Sequence, residues 1–189
     1  MEFEQDIINC LEVLGRGGII LYPTDTIWGI GCDATNPDAV NKIFELKQRD
    51  IARSMIVLVA DARDVNRYTS HAHPFIAEYL ENTTAPTTVI YEGALGLADN
   101  LVNEDGTIAI RIVRENFCRH LIKRYRRPLV STSANISGKE APKNFGEVSD
   151  QIIRGVDYTV NYRQQDKTIA RASALIRFGK NGKPVILRP

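Results

Sequence analysis

At 189 residues, with 24 Lys plus Arg against 23 Asp plus Glu and a net charge of +1, the chain is long enough to bury one sizeable core, and its charge balance alone points to no acidic or basic partner. No apolar run approaches the roughly 20 residues that a membrane-crossing helix needs, and the start Met1-Glu2-Phe3-Glu4 lacks a basic leader, so a cytoplasmic protein is expected. Cys10, Cys32 and Cys118 are odd in number and far apart, which excludes a paired disulfide or zinc framework and reads as buried thiols in a reducing compartment.

Ile7, Ile8, Leu11 and Leu14 recur at helical spacing, predicting a first helix that ends at Gly15, Gly17 and Gly18. Residues 19–22 read as a short buried strand. Pro23, which lacks a backbone donor, stops it and leaves Thr24, Asp25 and Thr26 at its carboxyl end, where α/β proteins place chemistry. Trp28 follows, and Gly29 and Gly31 allow a backbone to approach a small polar ligand closely; a plain turn after a proline-stopped strand has the same composition. Asn36 is predicted to cap a second helix with Pro37 in its first turn, carrying Val40, Ile43, Phe44 and Leu46 inward and ending near Lys47 and Arg49.

Residues 55–59 form the next buried strand, followed by helical or irregular segments at 61–69 and 74–82. Strands are expected at 87–91 and 107–113, the latter with Thr107, Ala109 and Arg111 alternating with Ile108, Ile110 and Ile112. A helix over 115–126 leads into a strand at 128–131, and a helix near 145–153 precedes three short strands at 156–160, 173–178 and 184–188. Helices and strands do not alternate strictly. The expected fold is therefore α/β, a single domain over residues 1–189 built on a mixed, twisted sheet flanked by helices.

Several clusters carry chemical meaning. Lys47, Arg49 and Arg53 concentrate positive charge before a buried strand, as a triphosphate requires, although cations at a helix end also answer its dipole. Ser131, Thr132, Ser133, Asn135 and Ser137 place four hydroxyls and an amide within seven residues, too many polar groups to bury without partners, so a capping or binding loop is expected. Arg111 to Arg127 holds seven Lys or Arg against one Glu, which suits either an RNA-contact face or a solvated helix. No P-loop, dinucleotide-binding or Gly-x-Ser-x-Gly pattern occurs, and His71 and His73 lack companions for a zinc site.

Taken together in chain order, the Thr24-Asp25-Thr26 segment, Lys47-Gln48-Arg49 and Ser131 to Gly138 resemble the YrdC/YciO family, the threonylcarbamoyl-AMP synthases of tRNA modification, from about Ile19 to the end. The resemblance implies an open sheet with a large concave cleft. It also implies synthesis of L-threonylcarbamoyladenylate from L-threonine, bicarbonate and ATP, with Mg²⁺ accompanying ATP and pyrophosphate released. It casts Lys47 and Arg49 as the catalytic phosphate ligands, with Arg53, Thr107, Ser133, Asn135 and Arg188 also on ATP. Thr24, Thr26, Arg111, Ser131 and Ser173 fall around threonine, Arg111 as the carboxylate clamp. Tyr22 and Trp28 are expected to shield the site from water. Implied partners are tRNA or double-stranded RNA and a downstream threonylcarbamoyl transferase.

The chain departs from the family in several places: Thr84-Ala85-Pro86-Thr87-Thr88 replaces a Pro-Gly-x-x-Thr turn, no proline stands two residues after Arg111, Ser173 is followed by Ala174, and Ala141 replaces a frequent Ser. The rival readings are a YciO-type double-stranded RNA-binding module without turnover, and carbamoyl transfer through carbamoyl-AMP as in hydrogenase maturation factors.

Overall fold

Alternation along the strands decides which side of the sheet is covered. A computed structural model describes residues 1–49, 55–70, 74–179 and 181–189; Arg53, His71 and His73 lie outside them. Nine strands, β1 (Ile20–Tyr22), β2 (Gly29–Gly31), β3 (Ile56–Val59), β4 (Thr87–Tyr91), β5 (Ile108–Ile112), β6 (Leu129–Ser133), β7 (Tyr158–Thr159), β8 (Ala174–Phe178) and β9 (Pro184–Arg188), form one sheet among the described residues. Their order is β7-β1-β2-β6-β3-β5-β4-β8-β9. Parallel pairs (β1 with β7, β3 with β5, β4 with β8) mix with antiparallel ones, as the irregular succession of elements predicts.

One face of the sheet is covered along its length. Leu21, Ile30, Val57, Val59, Val89, Ile108, Ile110, Val130 and Ile176 join Val40, Ile43 and Phe44 of α2 (Pro37–Lys47), Ile76 of α4 (Pro74–Glu81) and Ile152 of α6 (Asp150–Gly155) in the larger core. The opposite face is covered over part of its width only. There Ile20, Tyr22, Leu58 and Leu129 pack under α1 (Glu4–Gly15) and α5 (Asn116–Tyr125), through Ile7, Cys10, Leu14, Phe117 and Leu121. Beyond that edge a row of cross-strand neighbours, Ile90, Ala109, Ile56 and Ser131, has no helix above it among the described residues.

Local chemistry explains the boundaries. Asn36 accepts hydrogen bonds from Asp38 N (3.0 Å) and Ala39 N (3.2 Å), capping α2, and Gln48 ends that helix in the left-handed region. Asn36→Ala is expected to cost about 1 kcal/mol, read as a lower urea midpoint at constant slope. Strand β2 escapes the sequence reading because two of its three residues are glycine, which weakens any strand signal. It forms nonetheless: a Cβ on Gly31 would stand 2.4 Å from Val130 O and 2.6 Å from Tyr22 Cε1, so only glycine lets β2 pass the Tyr22 ring, whose hydroxyl donates to Val130 O (3.0 Å).

Three further expectations are corrected. The hydroxyl-rich segment begins as strand, since β6 runs on to Ser133, with Ser131 opposite Ile56 and Ser133 opposite Gly29. The helix expected near 145–153 is a short 3₁₀ turn, Phe145–Glu147, followed by α6. The seven cations between Arg111 and Arg127 do not all share one face: Arg111 is buried, Arg114 binds the carbonyls of Leu80, Thr83 and Thr84, and Arg124 pairs with Glu4, whereas Arg119 and Lys123 share Asp61, and Lys123, Arg126 and Arg127 line one concavity. All three cysteines are buried and unpaired. Among the described residues no helix is long and apolar enough to cross a membrane.

Candidate active site

The uncovered stretch of sheet is the floor of a cavity of about 400 Å³. Its small side chains, Ala109 and Ser131, leave room above the strands, while Ile56 and Ile90 make the floor apolar. One wall is the connection between β1 and β2 with Thr26, Trp28 and Gly29; the opposite wall is Ser173, Leu175 and Arg188 from β8, β9 and the segment before them. Trp28 packs on Phe145 with ring centroids 4.8 Å apart, closing that side with aromatic surface.

Arg111 is 3 % exposed, and its Nη2 stands 3.1 Å from Asp25 Oδ1. The pair satisfies distance but not hydrogen-bond direction, so Arg111 Nε and Nη2 and Asp25 Oδ1 are left without hydrogen-bond partners. A buried guanidinium with two donors unused, set in a cavity wall, is costly unless a ligand completes it, and its fork matches a carboxylate. Asp25 is held in turn by the Arg114 N–H on its other oxygen (3.1 Å). Around this cation stand the hydroxyls of Thr26, Ser131 and Ser173. Ser173 Oγ shares a 2.8 Å hydrogen bond with buried Thr88 Oγ1, and its carbonyl accepts from Arg188 Nε (3.1 Å) and Nη2 (3.0 Å). Arg188 is thereby fixed at the cavity wall.

The sequence profile of the Sua5/YciO/YrdC family, described as telomere recombination, matches residues 12–189. The chain belongs to the Sua5/YciO/YrdC family. It is similar to a threonylcarbamoyl-AMP synthase of Idiomarina loihiensis, 33% identical over 149 residues that cover 77% of this chain and 80% of the relative. It is also similar to P. abyssi Sua5 solved in complex with L-threonine (24% identical, TM-score 0.85, covering 98% of this chain) and to E. coli YciO (22% identical, TM-score 0.79, covering 98% of this chain and 89% of that one). The chain spans about half the length of P. abyssi Sua5, 54%. These similarities agree with the mixed α/β sheet described above.

Of the residues that the likeness to the Sua5/YciO/YrdC family nominates, Thr26, Arg49, Arg111, Ser131, Ser133, Ser173 and Arg188 line this one cavity, although they come from six separate stretches of sequence. Four others stand behind the wall. Lys47 is 1 % exposed, and its ammonium donates to Ser133 O and to Asn135 O (2.6 Å), tying the end of α2 to the segment after β6. Burial brings this ammonium down to about 7, and the like charge of Arg49 acts in the same direction. Asn135 turns its amide N–H groups to Ile136 O (3.0 Å) and Lys139 O (2.6 Å), which shapes the segment rather than facing the cavity.

Thr24 is buried; its hydroxyl meets Ile27 O and Thr26 Oγ1, both at 2.9 Å, and accepts from Thr26 N, so it orients Thr26. Thr107 bonds to Asp105 Oδ1 (2.7 Å) and accepts from Asn103 Nδ2 (2.9 Å), and it is Asn103 that reaches the cavity. Arg53 falls outside the described residues.

Two expectations about neighbouring groups change. Tyr22 is fully buried in the second core and does not line the cavity, so the aromatic shield is Trp28. Gly31 serves Tyr22 packing, and of the two glycines only Gly29 borders the cavity. The residues that sequence reading passed over are Asp25, singled out by type but given no role, and Thr88 and Asn103, whose partners become visible only in three dimensions. Cys118 is no nucleophile: burial pushes its thiol well up, and it donates to Pro23 O at 3.1 Å.

Proposed function

We propose that this chain is a threonylcarbamoyl-AMP synthase, condensing L-threonine, bicarbonate and ATP into L-threonylcarbamoyladenylate with release of pyrophosphate. The observation that carries the reading is buried Arg111, its Nε and Nη2 without hydrogen-bond partners, in the wall of a cavity lined by the hydroxyls of Thr26, Ser131 and Ser173 and by Arg49 and Arg188. The name of the Idiomarina loihiensis relative supports it.

In this reading Arg111 holds the threonine carboxylate in a two-point grip, and Thr26, Ser131 and Ser173 orient the amine and hydroxyl. The amine nitrogen bonds to the bicarbonate carbon with loss of water; an oxygen of the resulting carbamate attacks the α-phosphorus, and the bond to the pyrophosphate oxygen breaks. No covalent enzyme intermediate is needed. Arg49 and Arg188 offset charge on the phosphates, and Ser133 places a hydroxyl beside the nucleotide. Trp28 keeps water from the carbamate. Thr24, Lys47, Thr107 and Asn135 act one layer back, by fixing the groups that touch substrate.

Magnesium enters as part of the substrate, carried in on the triphosphate. Its ligands in this reading are phosphate oxygens. The product serves tRNA modification through a downstream transferase, in the cytoplasm, a setting that suits the three unpaired thiols.

The deciding measurement is pyrophosphate release, expected only when threonine and bicarbonate are present together. Release without either, or salt-sensitive RNA binding with no release, overturns the proposal in favour of another chemistry or an RNA module.

Lys47 supplies a second measurement. At pH 8 an ammonium brought down to about 7 is mostly neutral, and an arriving triphosphate favours its charged form, so ATP binding is expected to take up close to one proton. Calorimetry in buffers of different ionisation heat reads the uptake. It should shrink at pH 6, where Lys47 is already charged, and vanish in Lys47→Met. In the unliganded protein the sign follows from the same displacement: the unfolded chain keeps this proton up to 10.5, so stability from this group rises as pH climbs from about 7 towards 10.5.

A further inference from the structure

A second cavity, of about 260 Å³, lies at the other end of β3 and shares no lining residue with the first. Ile56 borders the first and Val59 the second, about 10 Å apart along the strand at ~3.3 Å per residue. The second cavity sits where β3 ends, between α3 (Ala62–Tyr68) and the last turn of α5, over the start of β6.

Its construction is two-layered. The floor is apolar, made by Val59, Ala60, Ile122 and Pro128 with the ring of Tyr68 at its side. The rim is cationic: five Lys or Arg, Arg63, Arg67, Lys123, Arg126 and Arg127, against the two carboxylates Asp61 and Asp64. The carboxylates do not balance this charge. Asp61 alone is shared by Arg119 and Lys123, each at 3.1 Å, and by Arg63 at 3.9 Å. Asp64 meets Arg67 at 3.6 Å, Asp33 meets Arg127 at 2.7 Å, and Arg126 has no ion pair among the described residues. The hydrogen bond from Lys123 leads the effects that hold the Asp61 carboxyl below its ordinary value, so this acid stays charged and the site still carries excess positive charge. In a chain whose net charge is +1, that is a local concentration, not a reflection of composition.

A bare anion site needs cations and no apolar slot, and a hydrophobic groove needs no ring of arginines. An apolar slot beneath a cationic rim suits a ligand with a flat apolar body and a phosphate. We infer that this second cavity binds a nucleoside phosphate, with the base on the floor beside Tyr68 and the phosphate on Arg63, Arg67 and Arg126. The same chemistry is presented by a free mononucleotide and by one nucleotide of a single-stranded RNA. The inference does not depend on the reading of the first cavity.

The test titrates ¹⁵N-labelled full chain with AMP, inorganic phosphate and a hexa-adenylate RNA. AMP is expected to shift the amides of residues 61–68 and 122–127 as a group separate from those around the first cavity, with at least tenfold higher affinity there than inorganic phosphate. Arg63 and Arg67 have side chains 82% and 70% exposed, so Arg63→Glu with Arg67→Glu should fold normally and weaken this phase at least tenfold. Arg126→Gln should do so in part, and pyrophosphate release at the first cavity should be unchanged in all of them.

Equal affinities for AMP and hexa-adenylate at this site mark a free nucleotide as the ligand. A hexa-adenylate affinity tenfold or more above that of AMP, with a salt dependence that loses about one phosphate contact in the double variant, marks RNA as the source. Either result supports the inference. Shifts confined to the first cavity, inorganic phosphate binding as tightly as AMP, or binding that survives charge reversal would each overturn it.

Discussion

Arg111→Lys is expected to weaken threonine binding about a hundredfold and to lower threonine-dependent pyrophosphate release in step, while ATP affinity stays within about twofold. The size follows from what changes. Lysine keeps the positive charge but replaces a planar two-point donor by a single ammonium, and hydrogen bonds to charged groups are worth about 1.5–3 kcal/mol each. The choice of lysine matters because Asp25 is 11 % exposed on its side chain and faces Arg111 at 3.1 Å. Arg111→Ala would leave that carboxylate buried without its cation at a cost of about 3–5 kcal/mol, so lost activity would be confounded with lost fold. Calorimetry with threonine, then with ATP, separates the two ligands. Unchanged threonine affinity in the lysine variant would remove Arg111 from the carboxylate site.

Gly31→Ala should give the largest loss of stability from a single methyl group, about 3 kcal/mol, the upper part of the range for overpacked sites. The new Cβ would meet a backbone oxygen at 2.4 Å and a ring carbon at 2.6 Å, and neither can retreat: Val130 in β6 is paired with β3 on one side and bonded to Cys32 O on the other, and Tyr22 is fully buried. Because β2 also presents Gly29 to the cavity, the variant that survives should bind ATP and threonine less tightly as well. Urea unfolding reads the first effect. An unfolding free energy within 0.5 kcal/mol of the parent would mean that the sheet can shift at β2 without penalty.

These two residues also show what a sequence discloses. Strands with alternating or unbroken apolar character, helices with a capping Asn or a glycine stop, and the hydroxyl-rich stretch after residue 130 were legible because their signals are local. Gly31 was legible as a glycine but not as the point where β2 passes between the Tyr22 ring and Val130 O, the latter about a hundred residues away. Asp25 and Arg111 are separated by 86 positions, and Thr88 and Ser173 by 85; neither pair has a spacing from which it can be inferred. Lys47 was legible as a residue of the site's chemistry, but its buried ammonium works through the carbonyls of Ser133 and Asn135, a distinction between touching and supporting that spacing does not carry. The run of cations ending at Arg127 splits because a helix and two strand ends turn Arg111, Arg114 and Arg124 away and leave Lys123, Arg126 and Arg127 together at the second cavity.

The place of β8 in the sheet has a consequence for synthesis on the ribosome. The strand enters beside β4 only from Ala174 onward, and with it come Ser173, Leu175 and later Arg188. Every earlier length of nascent polypeptide lacks one whole side of the reaction chamber, however well its amino-terminal half has condensed. In the proposed reading, a polypeptide stopped before β8 has no closed chamber in which to activate an amino acid, and competence waits for β8 and β9 to join the sheet.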